Sequence, residues 1–425
     1  MIKISREDGF TLLEMMVATA LVLVIMGAAL QTFTQSLQVN DAAQQLADAN
    51  QNLRAGTNQL IRDLMMAGRV IGSEGIAMAT GPGTITYARP GPPPPAPALN
   101  FALFTDPDNP TDPTLQLPSV VSGYQLGPVI KGSATDIVTT MMVDEFMPVI
   151  STPAVDPSNP KETEGTIDPQ GRFVTLGPNS LWIKGDPNGD DTPKIQVGDL
   201  VLFKGQSGNA ILTVTDVVTT TGVVKFDANS TEDFYHFNQP NPTTQVANAG
   251  RPLASLKQVV PITVPVTPNV TLTMAQPPAC AAGVDMTPTS IWCAPVTLFK
   301  VLMITYYVDN KNNTPRLMRM VNHCPGSNPN CDAFSPQALA GVVEDLDLTY
   351  DIEDGVTNPI EIPSFPWPSP PATPVYNAGQ IRKANVHIGV RSEQISKPSQ
   401  DYVRNHITTS VEVRSLASGD RYKAQ

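Results

Sequence analysis

Residues 9–30 read GFTLLEMMVATALVLVIMGAAL, and this stretch decides how the chain begins and where it goes. From Phe10 to Leu30 the residues are apolar apart from two threonines and one charge, Glu14. The length is close to the ~20 residues a helix needs to cross a bilayer. The preceding MIKISREDG holds Lys3 and Arg6, and no further Lys or Arg occurs before Arg54. That bias places the N-terminus in the cytoplasm and the bulk of the chain outside it. A secretory signal peptide has a shorter apolar region, about 7–15 residues, ending in a small-x-small cleavage site. Ala28 and Ala29 make a poor one. A plain anchor leaves Glu14 unexplained, because a carboxylate inside a membrane helix costs about 2–3 kcal/mol unless something pairs with it. No basic residue lies in the run to do so, and the alternative is a Glu14 near enough to the membrane edge to reach water.

Gly9-Phe10-Thr11-Leu12-Leu13-Glu14, followed by the unbroken apolar stretch, resembles the processing site of type IV prepilins and type II secretion pseudopilins. The resemblance implies that a prepilin peptidase cuts between Gly9 and Phe10 and methylates Phe10. Glu14 then becomes the fifth residue of the mature chain. The residue types fit this chemistry. Glycine lets the peptidase approach the backbone closely, and cleavage frees an ammonium four residues before the carboxylate. Four residues of helix rise about 6 Å, so a neighbouring subunit shifted along the axis can set its amine beside this Glu14. Pairing within one chain is the rival, since positions i and i+4 share a helix face. Glu7 and Asp8 depart from the family's basic leader and leave residues 1–9 without net side-chain charge.

Helix formers continue beyond the apolar run, and no proline occurs between Phe10 and Gly81. Leu46, Leu53, Leu60 and Leu64, with Phe33 and Leu37 before them, fall mostly on one stripe. Gln44, Gln45, Asp48 and Asn52 mark the opposite face. One helix is expected from Phe10 to Ala67, with Gly27 and Gly56 as places where it bends. Its first half is the filament stem and its second half packs on a sheet.

The expected organisation is a leader (1–9), a transmembrane and filament-core helix (10–30) and its continuation (31–68). Proline-rich loops carrying an inserted β unit follow (69–295), and then a C-terminal antiparallel sheet (296–425). Within residues 172–227, FVTL, SLWIKG, DLVLFKG, AILTVTDVV and GVVKFD read as strands between turn residues. VTLFKVLMITYYV and RLMRMV flank DNKNNTP as a hairpin. DLDLTYDI, with Leu346, Leu348 and Tyr350 on one face, is a further strand. The alternations Val386/Ile388/Val390 and Ile407/Thr409/Val411/Val413 add two more. The fold class is α+β. The order of these pieces also resembles the PilW-type minor pilins and the J-type pseudopilins. The ITYYVDN…PRLMRMV, VVEDLDLTYDI, IRKANVHIGVRSE and ITTSVEVRSL segments carry that likeness.

Composition narrows the function classes. A net charge of −12 with no basic run argues against a nucleic-acid partner. Charged residues at 16% and 42 prolines favour short strands and long loops over a helical bundle. The four cysteines lack zinc-site spacing and, in an exported chain, read as disulfides. Cys324 with Cys331, and Cys280 with Cys293, are the expected pairs; unpaired thiols are the alternative. Asp186, Asn188 and Asp190 gather oxygen donors, but no downstream Glu closes a calcium loop, so they read as a solvated turn. His236, His323, His387 and His406 are far apart and show no metal-ligand spacing. No catalytic signature is present. The expectation is a non-enzymatic subunit without cofactor or metal. Its partners are other pilin or pseudopilin subunits, the prepilin peptidase and the inner membrane. A membrane-anchored adhesin or enzyme is the alternative from another class.

Overall fold

A computed structural model describes residues 11–71, 75–78, 87–91, 104–105, 115–152, 164–168, 172–184, 194–205, 208–227, 230–238, 259–260, 292–293, 296–322, 336–352, 360–365, 376, 378–396 and 401–413. The chain is α+β: one long N-terminal helix lies against a large antiparallel sheet.

Helix α1 spans Leu12–Met66 without interruption. It starts where Thr11 leaves extended backbone and caps it. At the other end the chain swings away at Gly68, whose φ of 76° is open to glycine. The Gly68 N–H donates to Met141 O at 2.9 Å, tying that turn to the sheet.

The sheet has eleven strands: β1 (Val120–Gly123), β2 (Ile137–Val143), β3 (Ile150–Thr152), β4 (Leu200–Gly205), β5 (Gly208–Thr213), β6 (Val296–Asp309), β7 (Arg316–Val321), β8 (Gln337–Ile352), β9 (Ile360–Ile362), β10 (Ile381–Ser396) and β11 (Asp401–Glu412). Its spine is β6, which is paired along both edges. One edge takes β4 and then β7, the other takes β3 and then β2. From β7 the order runs β8, β10, β11. The hairpin across DNKNNTP and the alternating C-terminal strands are therefore present as expected.

Within residues 172–227 the expected strands divide. Phe173–Leu176, Val223–Lys225, Asp216–Val218 and Gly165–Ile167 form their own four-stranded sheet, whereas β4 and β5 join the main one. SLWIKG is not a strand. Leu181–Lys184 makes one helical turn, α2, with the Ile183 and Lys184 amides donating to Ser180 O. There Trp182 is buried, and its indole N–H donates to Pro148 O at 2.8 Å.

The main core lies between the second half of α1 and β8, β10 and β11. Ala49, Leu53, Gly56, Thr57, Leu60, Asp63 and Leu64 are buried on one stripe of α1. They meet Leu317, Ala340, Leu346, Leu348, Val386, Ile388 and Val411. Each fully buried leucine is worth about 1.5–3 kcal/mol, so this stripe holds helix to sheet. Gly56 is a point of close approach inside an unbroken helix, not a break in it. A Cβ there would stand 3.1 Å from Ala340 Cβ and 3.2 Å from Leu317 Cδ2. Gly56→Val is expected to destabilise the folded body by about 1–3 kcal/mol through overpacking. Chemical unfolding of the full chain in detergent checks it.

A buried carboxylate locks a loop to the sheet. Asp136 accepts from the Gln125 and Leu348 amides at 2.7 and 2.8 Å. Burial pushes its pKa up to about 6 against the pull of those two N–H bonds, and Asp347 and Asp345 add to the rise. This lies above the ordinary unfolded value near ~3.9. Folding therefore takes up a proton between about pH 4 and 6, and this contribution to stability falls as pH rises through that window. The stability difference between wild type and Asp136→Asn should shift in favour of wild type on going from pH 7 to pH 4.5. Unfolding curves at the two pH values measure it, and a constant difference would contradict the assignment.

Candidate assembly interface

Residues 11–37 are exposed throughout, including every large apolar side chain of the membrane-length run. At 1.5 Å per residue this exposed arm is about 40 Å long. Exposed apolar surface of this extent has to be covered by lipid or by other protein. Phe33 and Leu37 belong to this arm, at 62% and 48% exposure, and Leu46 is at its border. The sheet stops short of them. The buried stripe begins at Ala49, and the Asn50 side chain accepts from Asn405. Where α1 leaves the sheet, Asp41, Gln44 and Asp48 face Arg391, Glu393 and Gln394 across a polar groove.

Glu14 is the third residue of the helix. The Thr11 N–H and hydroxyl donate to Glu14 Oε2 at 2.9 and 3.0 Å, and the Glu14 N–H donates to Thr11 Oγ1 at 3.3 Å. This reciprocal capping box satisfies two donors that a helix start otherwise leaves open. It supplies a local partner for the carboxylate that the amine-pairing argument did not include. Both bonds fall on Oε2, so Oε1 keeps its acceptor capacity for an incoming cation. Within the run the Thr19 hydroxyl donates to Met15 O at 2.9 Å and is satisfied inside the helix, as a polar group in lipid must be.

The other sequence-derived residues are placed as follows. Gly9, Phe10, Cys280, Cys324, Cys331, Asp186, Asn188 and Asp190 lie outside the described residues. Cys293 is described through its backbone alone, in a two-residue strand paired with Val259–Val260.

A second group, not found from the sequence, holds the packed half of the helix. Asp63, 4% exposed, accepts from Tyr306 Oη at 2.6 Å and from Arg319 Nε at 2.8 Å on the same oxygen. Gln59 donates to its other oxygen at 3.2 Å. Tyr306 and Arg319 are direct cross-strand partners on β6 and β7, so the register delivers both donors to one point. Burial first, and then the Asp63 charge, raise the Tyr306 phenol pKa, which keeps it a donor. The available signal was the position of Asp63, three residues after Leu60 on the buried stripe.

The comparisons agree with the N-terminal reading. No curated protein and no solved structure matches the chain. Residues 4–30 match the family model described as the prokaryotic N-terminal methylation motif, which gives this chain a type IV prepilin-like N-terminus on a helix long and apolar enough to cross a membrane.

Proposed function

We propose that the chain is a minor pilin-like subunit that helps to initiate or cap a type IV pilus, acting by helix packing and without catalysis. One observation carries this reading: the methylation motif opens a helix whose first half is wholly exposed and whose second half is bolted to a sheet. A secretory or simple anchoring helix has no need of an acid four residues past the motif's glycine–aromatic step. In this reading the peptidase releases the Phe10 amine at the inner membrane. The exposed arm enters the bundle of neighbouring subunit helices, and Glu14 of one subunit meets the amine of the next. The folded body is carried outside the cytoplasmic membrane.

A photo-crosslinking residue at Phe33 or Leu37 tests this in filament-producing cells. Capture of other pilin subunits is expected. A chain that crosslinks to lipid alone would contradict the proposal. Capture of type II secretion subunits in place of pilus subunits would favour the J-type pseudopilin assignment.

A further inference from the structure

The outer face of the sheet, away from α1, brings together five side chains that the sequence spreads from Asp345 to Thr408. Strand register sets Asp345 opposite Gly389 and Gly389 opposite His406; the next row is Asp347, His387 and Thr408. His387 and His406 thus sit diagonally on adjacent strands, with ring centroids 5.6 Å apart. His387 Nε2 is 3.6 Å from Asp345 Oδ2. Two donors of a tetrahedral zinc-type centre, each about 2.0–2.1 Å from the metal, stand roughly this far from one another.

Three details make this more than a chance gathering of polar groups. Gly389 has no side chain, and a Cβ there would come within 3.0 Å of Asp345 Cβ. The space between Asp345, His387 and His406 is therefore open because residue 389 is glycine. The second ring nitrogen of His387 is engaged, with Nδ1 2.8 Å from Thr408 Oγ1. A hydrogen bond on the far nitrogen orients a metal-binding imidazole, and with Nδ1–H donating to the Thr408 hydroxyl Nε2 is left to bind the ion. Finally, Asp347 crowds the same corner. It pairs across the strands with His387, one row from Asp345, and brings a second carboxylate to the site.

We propose that Asp345, His387 and His406 form a binding site for a divalent transition metal of the zinc class above Gly389, with Thr408 positioning His387 and Asp347 adding negative charge. Imidazole and carboxylate donors together suit Zn²⁺, Ni²⁺ or Cu²⁺ and not Ca²⁺. Among the described residues no three such groups already converge at coordination distance. The His406 ring has to close the set. It is exposed, and exposed side chains exchange rotamers in picoseconds to nanoseconds, so the site assembles on the ion. Three protein donors leave the fourth position for water.

The test uses the full-length chain, air-oxidised, in detergent, with zinc chloride in equilibrium dialysis. One zinc per chain is expected. His387→Ala and His406→Ala should each weaken binding at least about tenfold, and Thr408→Val should weaken it without removing a donor. Carbethoxylation mapped by mass spectrometry gives a readout free of variants: zinc should protect His387 and His406 and leave His236 reactive. Equal zinc binding by the His387→Ala/His406→Ala double variant, or equal modification of both rings with and without zinc, would overturn the site.

Discussion

Glu14→Ala is expected to leave the chain in the membrane fraction while cutting its incorporation into filaments at least tenfold, which corresponds to about 1.4 kcal/mol per subunit contact. The apolar run keeps its length without Glu14, and insertion becomes easier when a carboxylate is removed. What is lost is the group that meets the neighbour's freed amine. The capping box complicates this, because alanine also removes the Thr11–Glu14 bonds, and a lost cap costs roughly 0.5–2 kcal/mol. Glu14→Gln separates the two effects. Glutamine serves as well as glutamate at the third position of a capping box, yet carries no charge. If the ion pair drives assembly, Glu14→Gln fails as badly as Glu14→Ala. Normal assembly of the glutamine variant would reduce Glu14 to a helix cap. Immunoblots of sheared filaments against the membrane fraction provide the ratio.

Asp63→Ala is expected to be the most damaging single change in the folded body, lowering its unfolding free energy by about 3–5 kcal/mol. The cost arises mainly from what remains. Arg319, with 16% of its side chain exposed, keeps its charge with no anion beside it, and the Tyr306 hydroxyl keeps a proton with no acceptor. Tyr306→Phe removes one donor and leaves the Asp63–Arg319 pair intact, so it should cost less, about 1–2 kcal/mol. The double variant should then fall short of the sum, as partners in one network do. Denaturant titration of the three variants measures this. A loss below about 1 kcal/mol for Asp63→Ala would show that the apolar stripe alone docks the helix.

What could be read ahead of the structure was local. Thr11 to Glu14 and the proline-free run gave a helix whose observed ends, Leu12 and Met66, lie within two residues of expectation. The alternations at Leu346/Leu348/Tyr350 and Val386/Ile388/Val390 placed strands whose inward faces are buried. Pairing between distant segments was not legible. The partners of β6 on its outer edges, Val138–Val143 and Leu200–Lys204, stand 90 to 170 residues away, and strand periodicity says which face is buried but not which strand is adjacent. SLWIKG carries strand-like residue types, and tertiary packing of Trp182 outweighed them. The role of Asp63 was not legible because Tyr306 and Arg319, which donate to it, come from the sheet. His387 and His406 looked unrelated for the same reason: their proximity depends on the register of β10 with β11. In each case the missing information was a contact between residues far apart in the chain.

Mass spectrometry of the N-terminus of the protein recovered from its native membrane or filaments tests the account most directly. Processing should give a chain that starts at N-methylated Phe10, with residues 1–9 absent and Glu14 as the fifth residue. A chain that still starts at Met1, or that is trimmed after the apolar run, would leave no amine to meet the carboxylate and would contradict the account.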